Sequence, residues 1–279
     1  MKLTTFWTRK ALASLGLALL FFGSSHAIAA EEINISGSTT VLPVMQKAGE
    51  AFMAANPGIT LSISGGGSGS GIKALNEGLC QIAMSSRDIK KTEMELGTKN
   101  GVTAVRTAIA VDALIPVVHP ENTVKNLSAA QLKDIYAGRI TNWKEVGGKD
   151  GKIVVVSRDT SSGTYETWAE IIMQKGKVTP NALLQASNGT VVQTVSGNKR
   201  AIGYIGFGYL TDSLKKLDVD GIEATPQTAL AKQWPIAREL YVFTNGKPEG
   251  AVKKLLDYML DPQKGQKAVR EVGYIPLGK

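Results

Sequence analysis

Three stretches of this chain set hydroxyl side chains and glycines at places where a helix begins. They are Gly37-Ser38-Thr39-Thr40, the run Gly65-Gly-Gly-Ser68-Gly-Ser70-Gly71, and Arg158-Asp-Thr-Ser-Ser162-Gly163-Thr164. The first turn of a helix leaves backbone N–H groups without intrahelical partners and carries a partial positive charge. Serine and threonine hydroxyls add donors, and glycines let the backbone approach a ligand closely. Arg158 adds a permanent charge and a planar, bidentate fork. Such a set suits a small tetrahedral oxyanion held at helix N-termini. Each loop alone is also an ordinary helix cap. The glycine run lacks the Gly-Lys-Ser/Thr ending of a nucleotide-binding P-loop. It is the threefold recurrence that points to an anion.

The elements around the loops are legible as alternating strands and helices. Ile33 to Ser36 reads as a short strand, and Ile59 to Ile63 alternates with period two. Met45, Ala48 and Phe52 follow helical spacing and stop before Asn56-Pro57-Gly58. Ile72, Leu75 and Leu79 repeat that spacing ahead of a strand at Ile82 to Met84. Further apolar strands are expected at Ala108 to Val118, Ile153 to Val156, Ala201 to Ile205 and Glu239 to Thr244, with an amphipathic helix from Gly250 to about Leu260. This order predicts an α/β fold with largely parallel sheets, whose ligands sit outside the carboxyl ends of the strands. No Pro/Ser-rich linker divides the chain, so two lobes would have to exchange strands.

Composition narrows the function. The 279 residues are 43% hydrophobic and 20% charged, which fits a globular protein with a sizeable core. Lys2, Arg9 and Lys10, the apolar run Ala11 to Phe22 and Ala27-Ile28-Ala29 together read as a secretory signal peptide over residues 1–30. Its twelve apolar residues are too few to span a bilayer. Removing three of the 32 basic residues and none of the 24 acidic ones lowers the charge from +8 to +5. The remaining lysines and arginines are scattered among acids, without the basic patch that nucleic-acid binding requires. The single cysteine, Cys80, excludes an internal disulfide and reads as a buried, inert thiol. Neither a zinc motif nor any cofactor motif is present. Tyr136, Trp143 and Trp168 read as packing residues.

The same loops carry a resemblance. With Gly37-Ser-Thr-Thr-Val-Leu-Pro43, Gly67-Ser-Gly-Ser-Gly-Ile-Lys73, Arg158 to Thr164, Asp134 to Trp143 and Ala201-Ile-Gly-Tyr-Ile-Gly206, the chain resembles the phosphate-binding proteins of Pst-type ABC transporters. These belong to the type II periplasmic-binding-protein superfamily. The resemblance implies a two-lobed α/β fold with crossing hinge strands near Val111 and Arg238. Residues 31–111 with 238–279 would form one lobe and residues 112–237 the other. It implies inorganic phosphate as ligand, an inner-membrane ABC permease as partner, a periplasmic monomer, and no catalysis. Phosphate contacts map onto Thr39 and Thr40 with Ser38 adjacent, onto Ser68, and onto Arg158, Ser162, Gly163 and Thr164.

One position departs from the family pattern. Long members carry an aspartate that accepts the phosphate's own proton, and Ser86 stands at the matching place. Asp88 or Asp112 would be a substitute acceptor, while Asp112 could equally cap a turn or pair with an arginine. Ser70 and Arg87 are further possible contacts, Arg87 being equally readable as a tie between lobes. Two other functions stay open. One is a carrier or sensor for sulfate, molybdate or tungstate, since a fold does not set its ligand. The other is a serine hydrolase or phosphatase, for which the mature chain offers only His119 and no G-x-S-x-G elbow.

Overall fold

A computed structural model describes residues 31–278 of the chain. The leader expected over residues 1–30 lies outside the described residues. The first part alternates strand and helix: β1 (Glu31–Gly37), α1 (Leu42–Ala55), β2 (Ile59–Gly65), α2 (Ser68–Asn76), β3 (Ile82–Ser85) and α3 (Lys91–Lys99), followed by the long β4 (Ala104–Val118). A second stretch holds β5 (Asn126–Leu127), α4 (Ala129–Tyr136), β6 (Val154–Arg158), α5 (Gly163–Ile171), β7 (Leu183–Gln185), α6 (Asn188–Ser196), β8 (Ala201–Gly206), β9 (Lys215–Lys216), β10 (Asp218–Val219) and α7 (Pro226–Leu230). The chain ends with β11 (Ala237–Asn245), α8 (Gly250–Leu260) and α9 (Gly265–Glu271). No helix among the described residues is long and apolar enough to cross a membrane.

Two lobes share one sheet, in the order β2-β1-β3-β11-β4-β8-β6-β7 with β9 beside β4. Strand β4 makes the transition. It pairs with β11 as far as Ala113 and with β8 from Leu114 onward. Apolar residues follow the same division. Ile33, Met45, Phe52, Met84, Val242 and Leu255 belong to the core on one side of that point, and Leu132, Trp168, Val191, Ile202 and Trp234 to the core on the other. Within each lobe, the strands that precede the three loops run parallel, β1 with β2 and β3, and β6 with β7 and β8. The sheet as a whole is mixed, because β11 runs antiparallel to β3 and β4, and β4 runs antiparallel to β8. Strands that cross between lobes take their direction from topology, which no local pattern encodes.

The C-terminus also reaches the hinge. Val111 and Ile275 exchange backbone hydrogen bonds at 2.8 and 2.9 Å. Three segments therefore lie side by side where the lobes meet: β4, β11 and the residues just past α9.

Candidate functional site

Every loop in question leaves the carboxyl end of a parallel strand. Thr39 and Thr40 follow β1, Ser68 opens α2 after β2, Ser86 follows β3, and Arg158 ends β6 ahead of α5. Thr39, Thr40, Ser68, Ser86, Ser162 and Thr164 are six buried side-chain hydroxyls drawn from both lobes. Thr40 Oγ1 lies 2.9 Å from Thr164 Oγ1 across the lobe boundary. Ser68 Oγ accepts from Ser86 N at 3.0 Å and lies 3.3 Å from Ser86 Oγ. A Cβ added to Gly163 would meet Ser68 Oγ at 2.4 Å and Ser86 Oγ at 2.8 Å. The first turn of α5 is thus pressed against the serine pair, and only glycine fits there.

Ser162 caps α5 by accepting from Tyr165 N at 3.2 Å, which leaves its own proton to give. Ser38 is placed differently. Its hydroxyl accepts from Thr40 N and Val41 N at 3.2 and 3.4 Å and so shapes the loop that carries the two threonines.

Arg158 supplies the charge. Its Nε and Nη2 donate to the carbonyls of Gln185 and Ala186, each at 2.9 Å, which orient the guanidinium. Nη1 is buried without a partner among the described residues. The side chain is 1% exposed and its nearest acid, Asp159, stands off at 3.8 Å. Burial pulls the Arg158 pKa down, against the opposing pull of Asp159. A buried cation with an unused N–H and no closely paired acid calls for an anion from outside the protein.

The lobes are drawn together around this cluster. Gly69 N donates to Ser161 O at 2.9 Å, and Ser161 Oγ donates to Gly66 O at 3.1 Å. Gly67 holds a left-handed φ of 97°, and a Cβ there would strike Ser161 Oγ at 2.5 Å. Tyr209 donates across the boundary to Thr39 O at 2.5 Å, while Tyr274, of the same lobe as Thr40, holds Thr40 O at 2.9 Å.

Three of the additional residues find other work. Ser70 faces solvent on α2, away from the cluster. Arg87 turns its guanidinium to carboxylates, donating to both oxygens of Glu93 at 2.7 Å and lying 3.0 Å from Glu166 of the other lobe. Burial lowers the Arg87 pKa, but its bond to Glu93 and the charge of Glu166 outweigh that and leave it raised. Arg87 is thus a tie between lobes. Asp112 has both oxygens engaged, Oδ1 by Phe207 N at 2.9 Å and Oδ2 by Arg238 at 2.9 and 3.1 Å. It both caps a turn and pairs with an arginine, so it is not a free acceptor. Asp88 pairs with Arg106 at the surface.

A family profile for the PBP superfamily domain matches residues 23–263. The phosphate-binding protein PstS of Bacillus subtilis strain 168 is 34% identical over 253 residues, covering 89% of this chain and 82% of its own. The chain belongs to the PstS family of the PBP superfamily. PstS of Borreliella burgdorferi is also 34% identical, over 88% of this chain and 90% of its own. Among solved structures, a Clostridium perfringens substrate-binding protein with bound phosphate superposes with a TM-score of 0.83 at 38% identity, over 89% of this chain and all of the other. The fold is accordingly the two-lobed type II arrangement of that family.

Against the PstS framework, two buried side chains escape a sequence reading. Asn188, at the start of α6, donates through Nδ2 to Thr39 Oγ1 at 3.2 Å and Thr40 Oγ1 at 3.1 Å. Arg238, on β11, donates through Nη2 to Thr164 Oγ1 at 2.9 Å and Thr40 Oγ1 at 3.3 Å. Arg238 faces Asp112 in the strand register, and opposite charges at the two expected crossing points were the available signal. Nothing local marks Asn188. The only histidine among the described residues, His119, accepts from Glu121 N through Nδ1 just past β4. Seven residues of strand, roughly 20 Å, separate it from Asp112.

Proposed function

We propose that this chain captures inorganic phosphate between its lobes and delivers it to an ABC permease in the inner membrane. The observation that carries this reading is the unpaired, buried Nη1 of Arg158 among six hydroxyls contributed by both lobes. Burying an anion is costly unless its lone pairs are filled, and this donor set fills them. Phosphate is bound by Thr39, Thr40, Ser68, Ser86, Arg158, Ser162, Gly163 and Thr164, the glycine through its backbone N–H. Relatives named as phosphate-binding proteins and the phosphate-bound C. perfringens structure support the choice of anion.

Function follows from closure. The anion touches groups of both lobes only when they meet, so it stabilises the closed arrangement by its differential affinity for that state. The permease reads that arrangement. No bond in the ligand is made or broken: Ser162 acts as a helix cap and donor, with no imidazole among the described residues in reach to activate it. The protein works as a periplasmic monomer, exported by its N-terminal leader, and does not bind nucleic acid.

Calorimetric titration of ligand-stripped protein with phosphate, sulfate and molybdate tests this. One-to-one binding with phosphate preferred is the expected result. Preference for sulfate or molybdate would keep the fold and replace the substrate; no binding of any oxyanion would sink the carrier reading.

A further inference from the structure

The shared sheet splits as it nears the anion. Strands β6 and β8 run parallel and pair at Val154–Ala201 and Val155–Ile202, and there their pairing ends among the described residues. Carried on in the same register, it would set Ser157 beside Tyr204 and Arg158 beside Ile205. Neither strand frays, because each keeps its other neighbour. β8 stays on β4 as far as Gly206, and β6 stays on β7 as far as Arg158. The gap therefore lies between the strand that ends in Arg158 and the strand beside it.

Buried backbone groups that a continued ladder would have paired need other partners. Val154 N donates to Arg200 O at 3.0 Å, so every second residue of β6 turns its N–H toward β8, Arg158 among them. Arg158 N donates to the phenol oxygen of Tyr204 at 3.2 Å. Val156 O, left open by the same gap, accepts from the phenol of Tyr136 at 3.2 Å. On the β8 side, Gly206 N donates to Asn188 Oδ1 at 3.2 Å. Paired strands lie about 4.8 Å apart, and a phenol on a long side chain bridges a wider gap than a main-chain carbonyl can.

The Tyr204 phenol has no room to drift. Ser157 Oγ lies 2.9 Å from its oxygen. Its ring is stacked on Trp168 of α5, with centroids 4.4 Å apart and planes 8° from parallel. Tyr136 closes the cluster, its ring centroid 4.9 Å from that of Trp168 and 5.5 Å from that of Tyr204. All four side chains are fully buried, and close packing leaves the ring no second position. Arg158 is thus held from two directions: β7 and the carbonyls of Gln185 and Ala186 lie on one side, and the phenol takes its main chain on the other.

We infer that Tyr204 is a positioning residue for Arg158: its phenol replaces the missing backbone acceptor on β8 and fixes the main chain from which the guanidinium reaches the anion. This rests on the anion-binding reading above. Tyr204 acts through Arg158, and the role gives the segment Ala201-Ile-Gly-Tyr-Ile-Gly206 a task beyond packing.

The test is a double-mutant cycle read by calorimetric titration of phosphate into ligand-stripped protein. It compares wild type, Tyr204→Phe, Arg158→Ala and the double variant, with Tyr136→Phe alongside. Phenylalanine keeps the stack on Trp168 and removes only the hydroxyl. At temperatures where both are folded, Tyr204→Phe is expected to bind phosphate at least about tenfold more weakly than wild type, as for a buried donor left without its partner. In the Arg158→Ala background the same change should cost no more than about twofold, because the group it positions is gone. Tyr136→Phe takes a hydroxyl from the same gap but from a carbonyl, so it should lower the melting temperature and leave phosphate affinity near that of wild type. Wild-type affinity in Tyr204→Phe overturns the inference. So does an equal loss with and without Arg158, or a loss in Tyr136→Phe as large as in Tyr204→Phe, since either makes Tyr204 merely structural. If Arg158→Ala binds too weakly to close the cycle, the comparison of Tyr204→Phe with Tyr136→Phe decides. If Tyr204→Phe does not fold, Ser157→Ala decides in its place. It frees the phenol to turn away from Arg158 N and should weaken phosphate binding severalfold; unchanged binding overturns the inference. Wild type that binds no phosphate, or Arg158→Ala that binds as tightly as wild type, would instead bring down the reading of the site, and this inference with it.

Discussion

Arg158 is oriented by two backbone carbonyls while its buried Nη1 has no partner among the described residues, so its removal tests the site most directly. Arg158→Ala is expected to weaken phosphate binding by about 2–5 kcal/mol, the range for truncating one partner of a desolvated charged contact. Calorimetry showing affinity within a few tenths of wild type would remove Arg158 from the site. Gly163→Ala makes the complementary test. A methyl group 2.4 Å from Ser68 Oγ should displace the serine pair, lowering the melting temperature by a few degrees and phosphate affinity at least about tenfold. Which residues were legible follows from how local their signals are. Thr39, Thr40, Ser68, Ser162 and Thr164 stand in short loops whose composition announces helix starts and bound anions. Asn188 and Arg238 act across chain separations of 148 and 198 residues from Thr40, and a lone asparagine or arginine carries no pattern of its own. Ser70 and Arg87 belonged to the right loops, yet one faces outward and the other is consumed by Glu93 and Glu166.

At the scale of elements, α5 joins the site to the lobe interface. Its first turn sets Gly163 and Thr164 against Ser68, Ser86 and Thr40 of the opposite lobe, and the same turn carries Glu166, whose Oε2 lies 3.0 Å from Arg87 Nε and 2.8 Å from Lys90 Nζ of that lobe. Glu166→Gln removes that attraction without touching the anion. It is expected to speed phosphate release and weaken affinity about tenfold, in keeping with about 1–2 kcal/mol for a partly buried charged contact. Stopped-flow release rates equal to wild type would show that the tie does not hold the lobes. Strand β8 and the turn after it bring another dependence, through Tyr204 and Tyr209, which burial pushes from 10.0 up to about 12. The folded state keeps these protons more tightly than the unfolded chain. Their contribution is whole below pH 10 and is lost as pH rises toward 12, so melting temperatures should drop over that interval. Phenylalanine at both positions should blunt the drop. The longer elements were legible, because Ile33 to Ser36, Ala201 to Ile205 and Gly250 to Leu260 show their periods plainly. Strand β4 begins earlier than its apolar run, at Ala104, because pairing with β11 extends it through polar residues. The two-residue strands β5, β9 and β10 are too short to show a period at all.

For the whole molecule, closure around an anion couples binding to stability. Phosphate at a hundred times its dissociation constant should add about 2.7 kcal/mol to the unfolding free energy and raise the melting temperature accordingly. A melting temperature indifferent to phosphate would mean that the folded state holds no phosphate. Ligand-stripped protein should also give a larger radius of gyration in small-angle scattering than phosphate-loaded protein, if the anion is what keeps the lobes together. The connectivity of the shared sheet has one more consequence, for the order of events during synthesis and export. The core containing Leu132, Trp168, Ile202 and Trp234 is built almost wholly from consecutive residues, and it can consolidate once Ile236 has emerged. The other core must wait. Strands β3 and β4 are neighbours only through β11, and Leu255, Met259 and Val269 of the last two helices complete the same cluster. A chain delivered amino-end first therefore leaves β1, β2 and β3 unfinished until its last forty residues arrive. The lobe that begins the polypeptide is the last to fold, and the binding cleft exists only once that lobe has closed its core.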